Sequence, residues 1–175
     1  YPFLVRDVLL TLAESGMYRA RWSAAITSEW REKLLAKKPD KEQAINRTIS
    51  VMQDAFPEAL IEGFEPLIEA LNLPDRDDRH VLAAAIRAGA DHIITNNIKD
   101  FPIDALASYG IEAKTPDDFI VDNIDLFQSD AIAALRAMRA RYDNPPVSKA
   151  DFLLALSRAG LPGTAAALKP HIESL

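Results

Sequence analysis

The stretch Pro74-Asp75-Arg76-Asp77-Asp78-Arg79-His80 sets three carboxylates at the point where a helical pattern begins. Carboxylates are hard oxygen donors, and a few of them beside several waters suit a small divalent cation such as Mg²⁺ or Mn²⁺. Such a centre can activate water and neutralise a phosphodiester. A further acid, Asp100, follows the polar run Thr95-Asn96-Asn97-Ile98-Lys99. That run comes directly after an apolar, strand-like segment, and ligands in open parallel sheets lie at the carboxyl ends of strands. The two acidic cues therefore fall at compatible positions. Each also has a plainer reading: acids at a helix start cap free N–H groups and answer the helix dipole, and Thr-Asn-Asn can be a turn that satisfies its own backbone. Three acids together exceed what one cap requires.

Composition narrows the chemistry further. The 175-residue chain has no cysteine and three histidines, His80, His92 and His171. Thiolate and histidine-rich metal sites are thereby set aside, and any metal is expected to be held by oxygen. A net charge of −6 argues against indiscriminate nucleic-acid binding, which depends on Lys and Arg neutralising phosphates. It leaves room for a nuclease whose acidic site is masked by cations. No Ser/His/Asp or Cys/His arrangement offers a nucleophile, and no Gly-rich loop cradles phosphate as a nucleotide-binding module would require. No apolar run is long enough to span a bilayer; the expectation is a soluble, cytoplasmic protein with no membrane partner.

These acids need a scaffold, and the sequence describes one. Phe3–Ala13 reads as a helix, Ala20–Ala24 as a short strand, and Glu29–Lys37 and Lys41–Phe56 as helices separated by Pro39. Ala59–Phe64 is a second strand candidate. The helix Arg79–Ala88 stops at Gly89 and leads into a buried strand over Asp91–Thr95. Pro102 opens a short helix ending near Gly110, Ile111–Lys114 reads as an edge strand, and Thr115-Pro116 as an N-cap followed by Pro at the first helical position. Alternation of this kind predicts an α/β domain over residues 1–127. Beyond Gln128 only helices are expected: Asp130–Arg141, then Phe152–Ala159 opened by the capping box Ser148-Lys149-Ala150-Asp151. Residues 128–175 thus read as a helical C-terminal accessory segment.

The stretches Pro74–Ala85 and Ile94–Pro102, joined through Ala88-Gly89-Ala90-Asp91, resemble the second half of a PIN domain, a family of metal-dependent ribonucleases, in its VapC-toxin branch. The resemblance covers about residues 1–125. It implies a Rossmann-like, three-layer α/β fold with a central parallel sheet, and an acidic cluster holding one or two Mg²⁺ or Mn²⁺ ions for RNA hydrolysis. Carried over by residue, Asp78 matches the acid preceding the Val-Leu-Ala-Ala helix, with Asp75 or Asp77 as accessory acids. Asp100 matches the acid after the Thr-x-Asn turn, whose polar groups are Thr95 and Asn97. Glu29 best matches the acid of the early helix, with Glu32 as competitor; taken alone, Glu29 is an ordinary partner for Lys33 at i,i+4. The family's first acid lies on a strand before the opening helix, so the segment upstream of residue 1 is expected to supply it. The chain as given is accordingly expected to bind metal poorly and to cleave slowly or not at all.

As the toxin of a type II toxin–antitoxin pair, such a protein has RNA as substrate, a cognate antitoxin protein as partner and a homodimer among its assemblies. The alternative is a catalytically silent PIN-fold protein that binds an antitoxin, with its carboxylates serving as helix caps. Arg79 beside the acids is a candidate RNA contact, as is the tail cluster Arg136, Arg139 and Arg141, although each also fits a solvated helix face. Trp22 and Trp30 fit core positions better than base-stacking ones.

Overall fold

The opening Phe-Leu-Val-Arg-Asp-Val-Leu-Leu run coils into α1 (Phe3–Glu14), which buries Val5, Val8 and Leu12 along one stripe. The structure, a computed structural model, describes residues 3–175; the upstream strand expected from the sequence lies outside the described residues. Strands are short and each pairs with one partner. β1 (Trp22–Ser23) lies parallel to β2 (Leu60–Ile61), with Trp22 opposite Leu60 and Ser23 opposite Ile61. β3 (His92–Ile94) pairs with β4 (Glu112–Lys114). The Glu112 N–H reaches the Asp91 carbonyl and the Thr95 N–H reaches that of Lys114, so both strands run the same way. The α/β class is as expected. Among the described residues the strands form these two pairs.

Helices begin and end where local chemistry directs. The hydroxyl of buried Ser23 accepts the Ile26 N–H at 3.2 Å and caps α2 (Ala24–Lys37). The helix therefore starts more than a turn earlier than the expected Glu29, and Glu29 lies inside it. Pro39 separates α2 from α3 (Glu42–Ala55). α4 (Arg79–Ala88) ends on Gly89 at φ +61°, a left-handed conformation that any side chain would strain. Then come α5 (Ile103–Leu106), α6 (Pro116–Leu126), α7 (Gln128–Ala140), α8 (Lys149–Arg158) and α9 (Pro162–Leu168). Thr115 and Ser148 cap α6 and α8 by accepting the N–H of Asp118 and Asp151, each at 3.1 Å.

The described residues divide into two compact units, each built from separated stretches. One comprises residues 20–93 and 97–113. Its core gathers Ile61, Phe64, Leu71 and Leu73 around Leu82, Ala83, Ala84 and Ala85 of α4, with Ile93, Phe101, Leu106 and Ile111. Three consecutive alanines leave α4 without bulk, so it lies close to β1, β2 and the 3₁₀ segment Glu65–Ala70. The other unit comprises the residues up to Arg19, then 94–96 and 114–175. Its core joins Val5, Val8 and Leu12 to Ile120 and Ile124 of α6, Leu135 and Met138 of α7, and Phe152, Leu156, Leu161 and Leu168 of the last helices. α6, grouped by the sequence pattern with residues 1–127, shares its core with α7 and packs against α9.

Candidate metal centre

The acids at the start of α4 are held by the chain direction there. Asp78 occupies the N-cap position with φ −79° and ψ −6°, but its side chain makes no capping hydrogen bond. A cap residue normally takes an extended conformation that turns its oxygen toward the first-turn N–H groups, and the helical ψ of Asp78 turns it elsewhere. Its Oδ2 is shielded from solvent and has no hydrogen-bond partner among the described residues. A buried carboxylate oxygen left so is costly unless something else answers its charge.

Asp75, Asp78 and Asp100 each bring one carboxylate oxygen within 4.8 Å of the others. Burial pushes the Asp78 carboxyl above its ordinary range, and the charges of Asp75, Asp100 and Glu29 push it further, while His80 opposes them. Like charges this close destabilise one another in the absence of a cation. The Asp75 Oδ1 accepts the Asp77 N–H at 2.9 Å, a turn that fixes Asp75 and leaves Asp77 exposed. Asn97 donates its side-chain N–H to the Oδ2 of Asp100, so the turn after β3 orients the acid that follows it.

Glu29 stands beside this trio rather than within it. Its Oε1 accepts from the Nε2 of His80 at 2.7 Å, and its Oε2 lies 3.7 Å from the Nζ of Lys33. The i,i+4 pair read from the sequence is thus present together with a tie from α2 to α4. Sequence reasoning missed that tie, because no local pattern links residues 51 positions apart. Glu32 is exposed. Arg79 donates from Nε to the Arg76 carbonyl at 3.1 Å and places Nη1 at 3.8 Å from Glu69. Thr95 falls in the other compact unit, where its N–H completes the β3–β4 ladder.

The PIN-domain family model matches residues 2–99, more than half of the chain. The chain belongs to the PIN-domain family. A second model, described as the VapC50 C-terminal domain, matches residues 116–170. A curated Mycobacterium tuberculosis protein, "Putative ribonuclease VapC50", is 45% identical over 94 residues, covering 54% of this chain. The chain spans 55% of that relative's length. No solved structure matches significantly.

In this PIN domain the donor set fits a hard divalent cation: all oxygen, from three converging carboxylates, with the shielded Asp78 Oδ2 unanswered. The three arginines of the tail differ in what they touch. Arg139 donates to the Val147 carbonyl at 2.6 Å and to the Leu175 carbonyl at 3.5 Å. Arg141 donates to Thr11 at 3.2 Å, and Arg136 is exposed. Trp22 is buried edge-on to Phe56, with ring centroids 5.9 Å apart, and Trp30 is half-buried.

Proposed function

We propose that this PIN-domain chain is a divalent-metal-dependent endoribonuclease, the toxin of a type II toxin–antitoxin pair. The observation that carries the reading is the convergence of oxygens from Asp75, Asp78 and Asp100, with the Asp78 Oδ2 shielded and unpartnered among the described residues. Asp78, Asp100 and Glu29 are the acids assigned to hold the metal, Asp75 joins them, and Asp77 and Asn97 assist. When bound, Mg²⁺ or Mn²⁺ neutralises charge on a phosphodiester and activates water for in-line attack. The chain's own part is to aim the acids: Asn97 fixes Asp100, and the Asp77 N–H fixes Asp75.

RNA as substrate is supported by the name of the mycobacterial relative. A cognate antitoxin protein, a homodimer and a cytoplasmic location belong to the same reading. No helix among the described residues is long and apolar enough to cross a membrane. A Rossmann-like, three-layer fold with a central parallel sheet belongs to the same reading, supported by the PIN-domain match. Arg79, Arg136 and Arg141 are proposed to meet RNA phosphates; Arg139, on the same helix as Arg136, spends its donors on backbone carbonyls.

The test is RNA cleavage by the full-length protein with Mn²⁺, comparing wild type with Asp78→Asn. The amide keeps the shape and loses the charge, so cleavage is expected to vanish while the fold persists. Cleavage at the wild-type rate rejects the assignment. A wild type that neither takes up Mn²⁺ saturably nor cleaves RNA supports instead the silent antitoxin-binding protein.

A further inference from the structure

We infer that His80 is a positioning residue, which holds the Glu29 carboxylate on the side of the acidic cluster by a single directed hydrogen bond. The inference rests on the metal-binding reading of that cluster. The bond joins two helices: Glu29 lies within α2, His80 in the first turn of α4, directly after the acids. The imidazole is well buried, with 14% of its side-chain surface exposed, whereas the Glu29 side chain is 44% exposed. The histidine is therefore the better-packed partner and the glutamate the more exposed one.

An ionised carboxylate only accepts, so Nε2 carries a proton and donates to Oε1. Nδ1 is shielded and without a partner among the described residues. A histidine serving the fold alone normally satisfies both nitrogens; among the described residues this ring directs one bond, to Glu29. The other oxygen of Glu29 faces Lys33 on the same helix. Two groups thus share one carboxylate: Lys33 faces one oxygen from the same helix, and His80 binds the other from α4. Glu29 already lies within electrostatic reach of Asp78. Without His80, the solvated i,i+4 pair with Lys33 is what remains to orient it, and that pair is weak and unselective in direction. Neighbours that orient a metal's ligands are worth roughly 10- to 100-fold in affinity when removed.

The experiment is a calorimetric titration of Mn²⁺ into the full-length protein without RNA, with thermal melts to confirm folding. His80→Ala is expected to weaken Mn²⁺ binding by about tenfold or more. His80→Gln, whose amide can donate from near the Nε2 position, is expected to restore most of the loss. In a Glu29→Gln background, His80→Ala is expected to change nothing further, because the residue acts through Glu29. Wild-type affinity in His80→Ala, while Asp78→Asn loses binding, overturns the inference and leaves the metal site standing. Losses from His80→Ala and Glu29→Gln that multiply overturn it as well. A wild type that takes up no Mn²⁺, or an affinity that Asp78→Asn leaves unchanged, overturns both the inference and the metal reading beneath it. If His80→Ala does not fold, His80→Leu, which fills the space without a donor, takes its place: a folded His80→Leu with about a tenfold loss supports the inference, and one with wild-type affinity overturns it.

Discussion

Asp78 is held in an arrangement that works against the stability of the metal-free protein. Its carboxyl is raised by burial first and by Asp75, Asp100 and Glu29 next. A carboxyl whose folded-state value lies above its unfolded value stabilises the fold while protonated, and that contribution is lost as pH rises through the raised value. Metal-free wild type should therefore lose stability relative to Asp78→Asn as pH rises from the ordinary carboxyl range through the raised value. Near neutrality, in EDTA, Asp78→Asn is expected to be the more stable by roughly 0.5–1 kcal/mol, the half-exposed site being partly screened. Paired thermal melts at several pH values check this. A difference that stays constant across the range shows that the carboxylate repulsion is absent. Mn²⁺ affinity should move the opposite way, falling toward acid pH as protons compete for the same oxygens.

Among the elements, α6 and α9 are joined by one side chain. Asp117, in the first turn of α6, accepts the Gly163 N–H at 2.7 Å, the Thr164 N–H at 2.8 Å and the Thr164 hydroxyl at 2.7 Å. Thr164 is fully buried, so these donors lose their partner without gaining water when the carboxylate is removed. Asp117→Ala is expected to destabilise the protein by about 2 kcal/mol, read from urea unfolding. A loss below about 0.5 kcal/mol indicates that the contact is incidental. A Cβ at Gly163 would lie 3.0 Å from the same carboxylate, so Gly163→Ala should loosen this joint too. Arg139 holds a comparable place through the carbonyls of Val147 and Leu175. Arg139→Ala is expected to lower stability, whereas Arg136→Ala, on an exposed side chain, is expected to leave it within about 0.5 kcal/mol. Equal melting of the two variants contradicts the division.

For the whole molecule, metal and fold are linked by mass action. If Mn²⁺ binds the folded protein through carboxylates that its unfolded chain does not gather, free ion at 100 times its dissociation constant stabilises the protein by about 2.7 kcal/mol. For a chain of this size the melting temperature is then expected to rise by roughly 5–10 °C. Calorimetric scans with and without Mn²⁺ measure the rise, and EDTA should reverse it. Asp78→Asn should show little of it, and an equal rise in that variant places the ion elsewhere. The net charge of −6 adds to the effect, since a bound dication also relieves general repulsion.

How far each feature was legible depends on the distance over which it is decided. The helix Arg79–Ala88 and its stop at Gly89 were readable in full, because helical spacing and a left-handed glycine are local properties. So were the caps at Thr115 and Ser148, and the place of Asp78 and Asp100 beside a helix start and a strand end. The start of α2 was misplaced, since the buried Ser23 that caps it gives no sign in sequence of lying inside. Sequence by itself determined which acids were available, and the kind of chemistry that an oxygen-only, cysteine-free set allows. Only the tertiary structure decided that Asp75 joins Asp78 and Asp100, that Glu29 is held by His80, and that Arg139 faces carbonyls. The approach of Asp100 to Asp75 and Asp78, the reach of His80 to Glu29 and that of Arg139 to Leu175 join side chains far apart in the chain, brought together by the packing of separate elements; no periodicity within one segment encodes them.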